Sequence, residues 1–177
     1  MKDIIKKTGI NFGLILGFIF SLTILYAFAI DSSIMVNWWI TLVFPIFIVI
    51  VFGLFAIGTA KKALHGFITF KEAFTTYFIM TAISLLISTT VSILIFNVVA
   101  PEFKETVKEL TIETTTEMME GYNIPYEQID EMVEKIREED GFSPSKLMLN
   151  YAVFLAIYAI FGLLLALILK QNNPELE

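Results

Sequence analysis

Cysteine is absent from the 177 residues. That removes disulfide frameworks, thiol nucleophiles and thiolate metal sites in one step, and it leaves the redox compartment open. His65 is the only histidine, so a metal centre built from several imidazoles is excluded as well. Basic residues are scarce, with 12 Lys and Arg against 18 Asp and Glu. No basic patch exists that would release counterions from phosphate, which argues against nucleic acid as a partner. There is no Gly-rich phosphate loop, no G-x-S-x-G elbow and no H-E-x-x-H pair. The most informative lack is one of charge. Residues 9–30, 34–60, 73–101 and 147–169 contain no Asp, Glu, Lys, Arg or His at all.

What is present is apolar: 56 % of the residues are hydrophobic, and the mean hydropathy is +0.76. A hydrocarbon core about 30 Å thick needs roughly 20 helical residues at about 1.5 Å each, and all four uncharged runs are long enough. The expected fold is all-α, a polytopic membrane protein with four transmembrane helices. The charge is segregated to match. Residues 102–146 hold 13 acidic and 5 basic side chains, a net of −8, while the remainder carries +2, giving the chain's −6. The organisation expected is three spans over residues 1–100, an acidic extracytoplasmic helical hairpin over 101–146, and a fourth span with a polar cytoplasmic tail over 147–177.

Lys2, Lys6 and Lys7 precede the first run, and Ala27-Phe28-Ala29 ends it in a form that signal peptidase could cut. Against cleavage after Ala29, the stretch from Gly9 to Tyr26 exceeds the usual apolar region of roughly 7–15 residues in a signal peptide. Trp38 and Trp39 open the second run, where indole rings favour the headgroup level. Pro45 removes a backbone donor and clashes with the Thr41 carbonyl, which predicts a kink. The connector at residues 65–72 is too polar to span, and Phe67 and Phe70 suit a membrane boundary. Ser143-Pro144 reads as an N-cap followed by proline at the first helical position. Lys and Arg alternate across the connectors: three before the first span, none after it, three around the second connector. The positive-inside rule then puts both termini in the cytoplasm and the acidic loop in the periplasm. In the acidic segment Phe103, Val107, Leu110 and Met118 recur at helical spacing. Ile129, Met132, Val133 and Ile136 resume it after a break at residues 121–125. A solvated spacer is the plainer alternative.

The chain resembles the domain of unknown function 4199 family, small four-span membrane proteins mainly of Bacteroidota. The resemblance rests on Gly66-Phe67-Ile68-Thr69-Phe70-Lys71-Glu72-Ala73-Phe74, on a charged loop ending in Phe142-Ser143-Pro144, and on the four-span plan. It implies a bacterial inner-membrane protein and carries no catalytic residue.

Gly9, Gly13, Gly17 and Ser21 form a small-residue ladder that permits close helix approach, either to another span or to a second copy of the chain. Ala152, Ala156 and Ala159 give the fourth span a weaker version. Thr81, Ser84, Ser88 and Ser92 share one side of the third span, with Thr89, Thr90 and Asn97 nearby. They serve either as a polar lining for a solute or as hydroxyls bonded back to their own helix. His65 reads as a headgroup contact sooner than as a general base. Glu138-Glu139-Asp140-Gly141 lacks the spacing of an EF-hand and reads as solvated surface. No catalytic, cofactor or metal residue is assigned. The function expected is a non-catalytic scaffold or accessory subunit. It would contact the lipid bilayer and a membrane or periplasmic protein, with homo-oligomerisation left open. A small-solute channel using the Thr81–Ser92 side and the Pro45 kink is the alternative. An envelope lipid or glycan enzyme relying on His65 or Glu72 is the third.

Overall fold

A computed structural model describes residues 2–171; the rest of the polar tail, 172–177, lies outside the described residues. The fold is all-helical, with no strand among those residues. Helix α1 covers Lys2–Ala29. A turn of π-helix at Trp39–Val43 leads into α2, Phe44–Ala63. Helix α3 covers Phe70–Leu94 and continues as a second π turn, Ile95–Val99. Two helices occupy the charged segment, α4 at Phe103–Gly121 and α5 at Tyr126–Glu138, and α6 covers Pro144–Leu169. The four apolar stretches are each at least 25 residues long, enough to cross a bilayer. Their outward side chains are apolar too: Phe47, Phe55 and Ile168 are 65, 63 and 74 % exposed. Such a surface is costly in water and matched to lipid. The chain is a multi-pass membrane protein.

Helix α3 is the centre of the bundle, packing on α1, α2 and α6, with α1–α3 the most extensive of these contacts. The small-residue ladder creates that contact. A Cβ on Gly9 would lie 2.8 Å from the Thr76 carbonyl oxygen, one on Gly13 2.8 Å from that of Met80, and one on Gly17 2.9 Å from Ile87 Cδ1. The two backbones thus run almost in contact, where dispersion acts without help from a hydrophobic drive. Ser21 continues the ladder and donates its hydroxyl to Gly17 O at 2.8 Å. On the opposite side of α3, Tyr77 is fully buried and its ring fills a notch between two glycines. A Cβ on Gly53 of α2 would come within 2.6 Å of the ring, and one on Gly162 of α6 would overlap it.

Several local expectations are corrected here. At Pro45 the structure shows a π turn just before the proline: Phe44 N–H bonds Trp39 O, so the ladder is rewound where the proline would have clashed. The second span begins at Trp39 and not at Ile34, because polar side chains terminate the helix locally. Asp31 accepts from Ser33 N at 3.0 Å and Asn37 from Trp39 N at 3.1 Å. Hydrogen bonding by Ser33 holds the Asp31 carboxyl below its ordinary range. Ser143 sits at the N-cap of α6, but its hydroxyl bonds Asp140 O at 3.1 Å and caps nothing. Ala152 and Ala156 face outward, and Ala159 is only half-buried. The close approach of α6 is made instead at Gly162, one helical stripe away.

The glycine ladder generates a stability test. Gly13→Leu should destabilise the bundle by about 1–3 kcal/mol through overpacking. Gly58→Leu, where a Cβ meets nothing within 4 Å, should be neutral, and Tyr77→Phe, which keeps the ring, should be tolerated. Thermal unfolding of the purified protein in detergent measures all three, and equal losses for Gly13→Leu and Gly58→Leu would contradict the packing.

Candidate functional site

The two ends of the bundle are built differently. At one end the α2–α3 connector is strapped to the end of α6. Ile68 and Gln171 exchange backbone hydrogen bonds of 2.9 and 2.8 Å, and Lys61 Nζ donates to Leu169 O at 3.3 Å. His65 and Gly66 take left-handed φ values of 59° and 92°, which turns the chain back toward α3. Thr69 and Glu72 then form a capping box. Thr69 N donates to Glu72 Oε2 at 2.9 Å, and Glu72 N to Thr69 Oγ1 at 3.3 Å. The Glu72 carboxylate is therefore engaged in starting α3, and His65 is exposed with no side-chain partner among the described residues.

At the other end α4 is bolted to the spans. Phe96 of the second π turn stacks on Phe103 of α4 at 5.3 Å and on Phe142 at 4.3 Å, while Phe28 of α1 meets Phe103 edge-on at 5.3 Å. Aromatic pairs of this kind contribute about 0.5–1.5 kcal/mol each beyond area burial. Val107, 3 % exposed, extends the cluster onto Ala27 and Ile95. A polar network runs beside it. Asn97 donates to Ile93 O and to Phe142 O, both at 3.1 Å, and accepts from Lys104 Nζ at 2.8 Å. Lys104 also pairs with Asp140 at 3.3 Å. A single side chain at the end of a span thus holds both the start of α4 and the entry to α6. Helix α5 lies on α4 through Ile129, 4 % exposed, and Lys108 Nζ closes the end of α5 on Arg137 O at 2.6 Å.

The free faces of α4 and α5 are strongly acidic. Lys104–Asp140 and Lys146–Glu139 are the ion pairs among the described residues, so the other carboxylates of the two helices have no basic partner at contact distance. In the Glu138–Glu139–Asp140 run, Glu139 goes to Lys146 and Asp140 to Lys104 and Phe142 N. Among these carboxylates stand exposed large side chains: Tyr122 at 77 %, Tyr126 at 78 %, Met132 at 41 %.

The polar side of α3 is divided. Thr81 and Ser84 are buried and bond back to Tyr77 O and Thr81 O at 3.0 and 2.9 Å. Ser88 and Ser92 bond back to Leu85 O and Ser88 O, both at 3.0 Å, yet they border a cavity of about 310 Å³ that Pro45 also lines. The structure thus brings Ser88, Ser92 and Pro45 together and leaves Thr81 and Ser84 in packed core. Tyr77 was not singled out in sequence, and Asn97 was named only beside the polar side of the third span, not as an anchor for α4 and α6. A lone amide at the end of an uncharged run was the signal available for Asn97.

Residues 8–171 match the model of a family described as a protein of unknown function, domain of unknown function 4199, and the chain belongs to that family. No curated protein and no solved structure matches it.

Loss of the Asn97 network has a local signature. Asn97→Ala leaves Lys104 with Asp140 alone and strands the Phe142 carbonyl, at a cost of about 1–3 kcal/mol. Amide hydrogen exchange should accelerate across residues 103–142 while the spans keep their protection. Uniform change across the whole chain would contradict the anchoring role.

Proposed function

We propose that the protein is a non-catalytic scaffold of the bacterial inner membrane. Its bundle holds α4 and α5 fixed at the periplasmic face as a docking platform for a basic segment of a membrane or periplasmic partner. In this reading residues 1–100 and 147–177 are the membrane body, 101–146 form the acidic hairpin, and both termini are cytoplasmic. One observation carries it. The α4 base is anchored by Phe96, Phe103, Phe142 and Asn97, whereas the exposed surface of the pair presents carboxylates without basic partners around Tyr122, Tyr126 and Met132. Charge steers encounter, and exposed aromatic and methionine side chains supply contact area once charge has aligned the partners. Anchoring adds preorganisation, which lowers the entropic cost of binding. The orientation is supported by the lysines: Lys61, Lys62 and Lys71 cluster at the end opposite the acidic helices. Against a solute path, Thr81 and Ser84 are already bonded within their own helix. Against an enzyme using Glu72, that carboxylate serves a helix cap.

Two experiments test this reading. Because the chain has no cysteine, Glu131→Cys and Lys62→Cys report sidedness directly. A membrane-impermeant maleimide should label the first in cells with a permeable outer membrane, and the second only after the inner membrane is broken; the reverse pattern overturns the topology. A photo-cross-linker at Tyr126 should capture one partner. Reversing Glu127, Asp130, Glu131 and Glu134 to Lys should cut that yield on the order of tenfold. An unchanged yield would remove charge recognition from the account.

A further inference from the structure

Between α4 and the turn that precedes α2 lies a groove of about 810 Å³. Its upper wall is the α4 side bearing Thr114, Thr115, Glu117 and Met118, and its floor is Met35 with Trp38. Beneath it, at the depth of the spans, is the 310 Å³ cavity between α1, α2, α3 and α6, lined by apolar side chains such as Phe20 and Phe154 together with Ser88 and Ser92. Met35 lines both spaces, so they are neighbours across that side chain. A third recess of about 530 Å³, at Trp39 and Phe47, shares Phe44 with the cavity and lies on the exposed flank of the bundle. Both volumes of the neighbouring pair fall in the range of about 300–1,000 Å³ usual for small-ligand sites.

We propose that this composite space binds one phospholipid whose headgroup is zwitterionic and carries an amine. The headgroup would lie under α4, and an acyl chain would descend past Met35 into the cavity between the spans. Three observations fix that occupant. The groove under α4 sets threonines and Glu117 among its apolar side chains, and the cavity below is more apolar still, the order in which a lipid presents its own parts. Trp38 and Trp39, ring centroids 4.3 Å apart and planes tilted by 33°, are 58 and 59 % exposed at its edge, and indoles settle at the headgroup level. Charge selects the headgroup class. Glu117 is the one charged side chain lining the groove, and it belongs to a segment of net charge −8. An ammonium is attracted there and a headgroup with net negative charge is repelled. Both π turns, Trp39–Val43 and Ile95–Val99, occur at this end of the bundle. The first contributes Ile40 and Thr41 to the cavity wall, so the rewound helix is part of the site. The groove takes none of Tyr126, Met132 or the α5 carboxylates assigned above to a protein partner; Tyr122 borders both surfaces.

Trp38 and Trp39 are the only tryptophans, and each lines one of these spaces, so the site reports on itself. The full chain is reconstituted in equimolar phosphatidylethanolamine and phosphatidylglycerol vesicles, with dibrominated acyl chains placed on one lipid or the other. Brominated phosphatidylethanolamine should quench the tryptophans with a relative affinity about three- to fivefold higher, the scale of one partly exposed charge contact. Glu117→Gln, at an exposed surface position that does not disturb folding, should abolish the preference. Ser88→Phe, which fills the cavity, should weaken quenching by the ethanolamine lipid in protein that retains its helical circular dichroism. Equal quenching by both lipids, a preference for phosphatidylglycerol, or a preference that survives Glu117→Gln each overturns the proposal.

Discussion

The near-contact of the α1 and α3 backbones is the constraint on which the rest of the structure depends. Apolar side chains gain little from leaving lipid for one another, so helices in a membrane associate where surfaces fit closely enough for dispersion to add up. Gly9, Gly13 and Gly17 supply that fit against Thr76, Met80 and Ile87. With α1 in place, α3 is left one face for α2 and α6, and Tyr77 settles it by wedging between Gly53 and Gly162. The same helix continues past the packed core to Phe96 and Asn97, which carry the base of α4. One helix thus transmits the geometry of the bundle to the charged segment.

A second constraint is the cost of polar groups away from water. The apolar runs of the spans meet it by excluding Asp, Glu, Lys, Arg and His, and several hydroxyls turn back on their own helix carbonyls, as those of Ser21, Thr81 and Ser84 do. The connectors meet it with local devices: the Thr69–Glu72 box, the Ile68–Gln171 pair and Lys61 on the last turn of α6. These devices account for much of the sequence between Gly66 and Phe74, the stretch most characteristic of the family resemblance. Its residues build a helix start and a strap.

Legibility in the sequence followed the range of the physics. Spans were readable because length and absence of charge are properties of a continuous run, and the glycine ladder because helical spacing is local. The helices of the charged segment follow Phe103 and Val107, then Ile129, which are the side chains they bury. What depended on pairing distant residues was not readable. Nothing in the sequence says that Tyr77 would meet Gly53 and Gly162, or that Phe142 would stack on Phe96 across 46 positions. The alanines of α6 misled because small size permits close packing without requiring it; position around the helix decided for Gly162. The π turn at Trp39–Val43 escaped since Pro45 predicts a disturbance and not which form it takes.

The functional account rests on α4 and α5 being held as one body with the spans, since a freely swinging acidic arm would offer neither a preorganised surface nor a stable groove beneath it. Electron–electron double resonance tests this most directly, using spin labels at Glu131→Cys on α5 and Lys62→Cys at the far end of α2 in the naturally cysteine-free chain. Rigid anchoring predicts a single distance distribution in bilayers, about as narrow as that of a pair of labels within the bundle. A broad or multi-peaked distribution for the α5 pair, with the bundle pair still narrow, would contradict it.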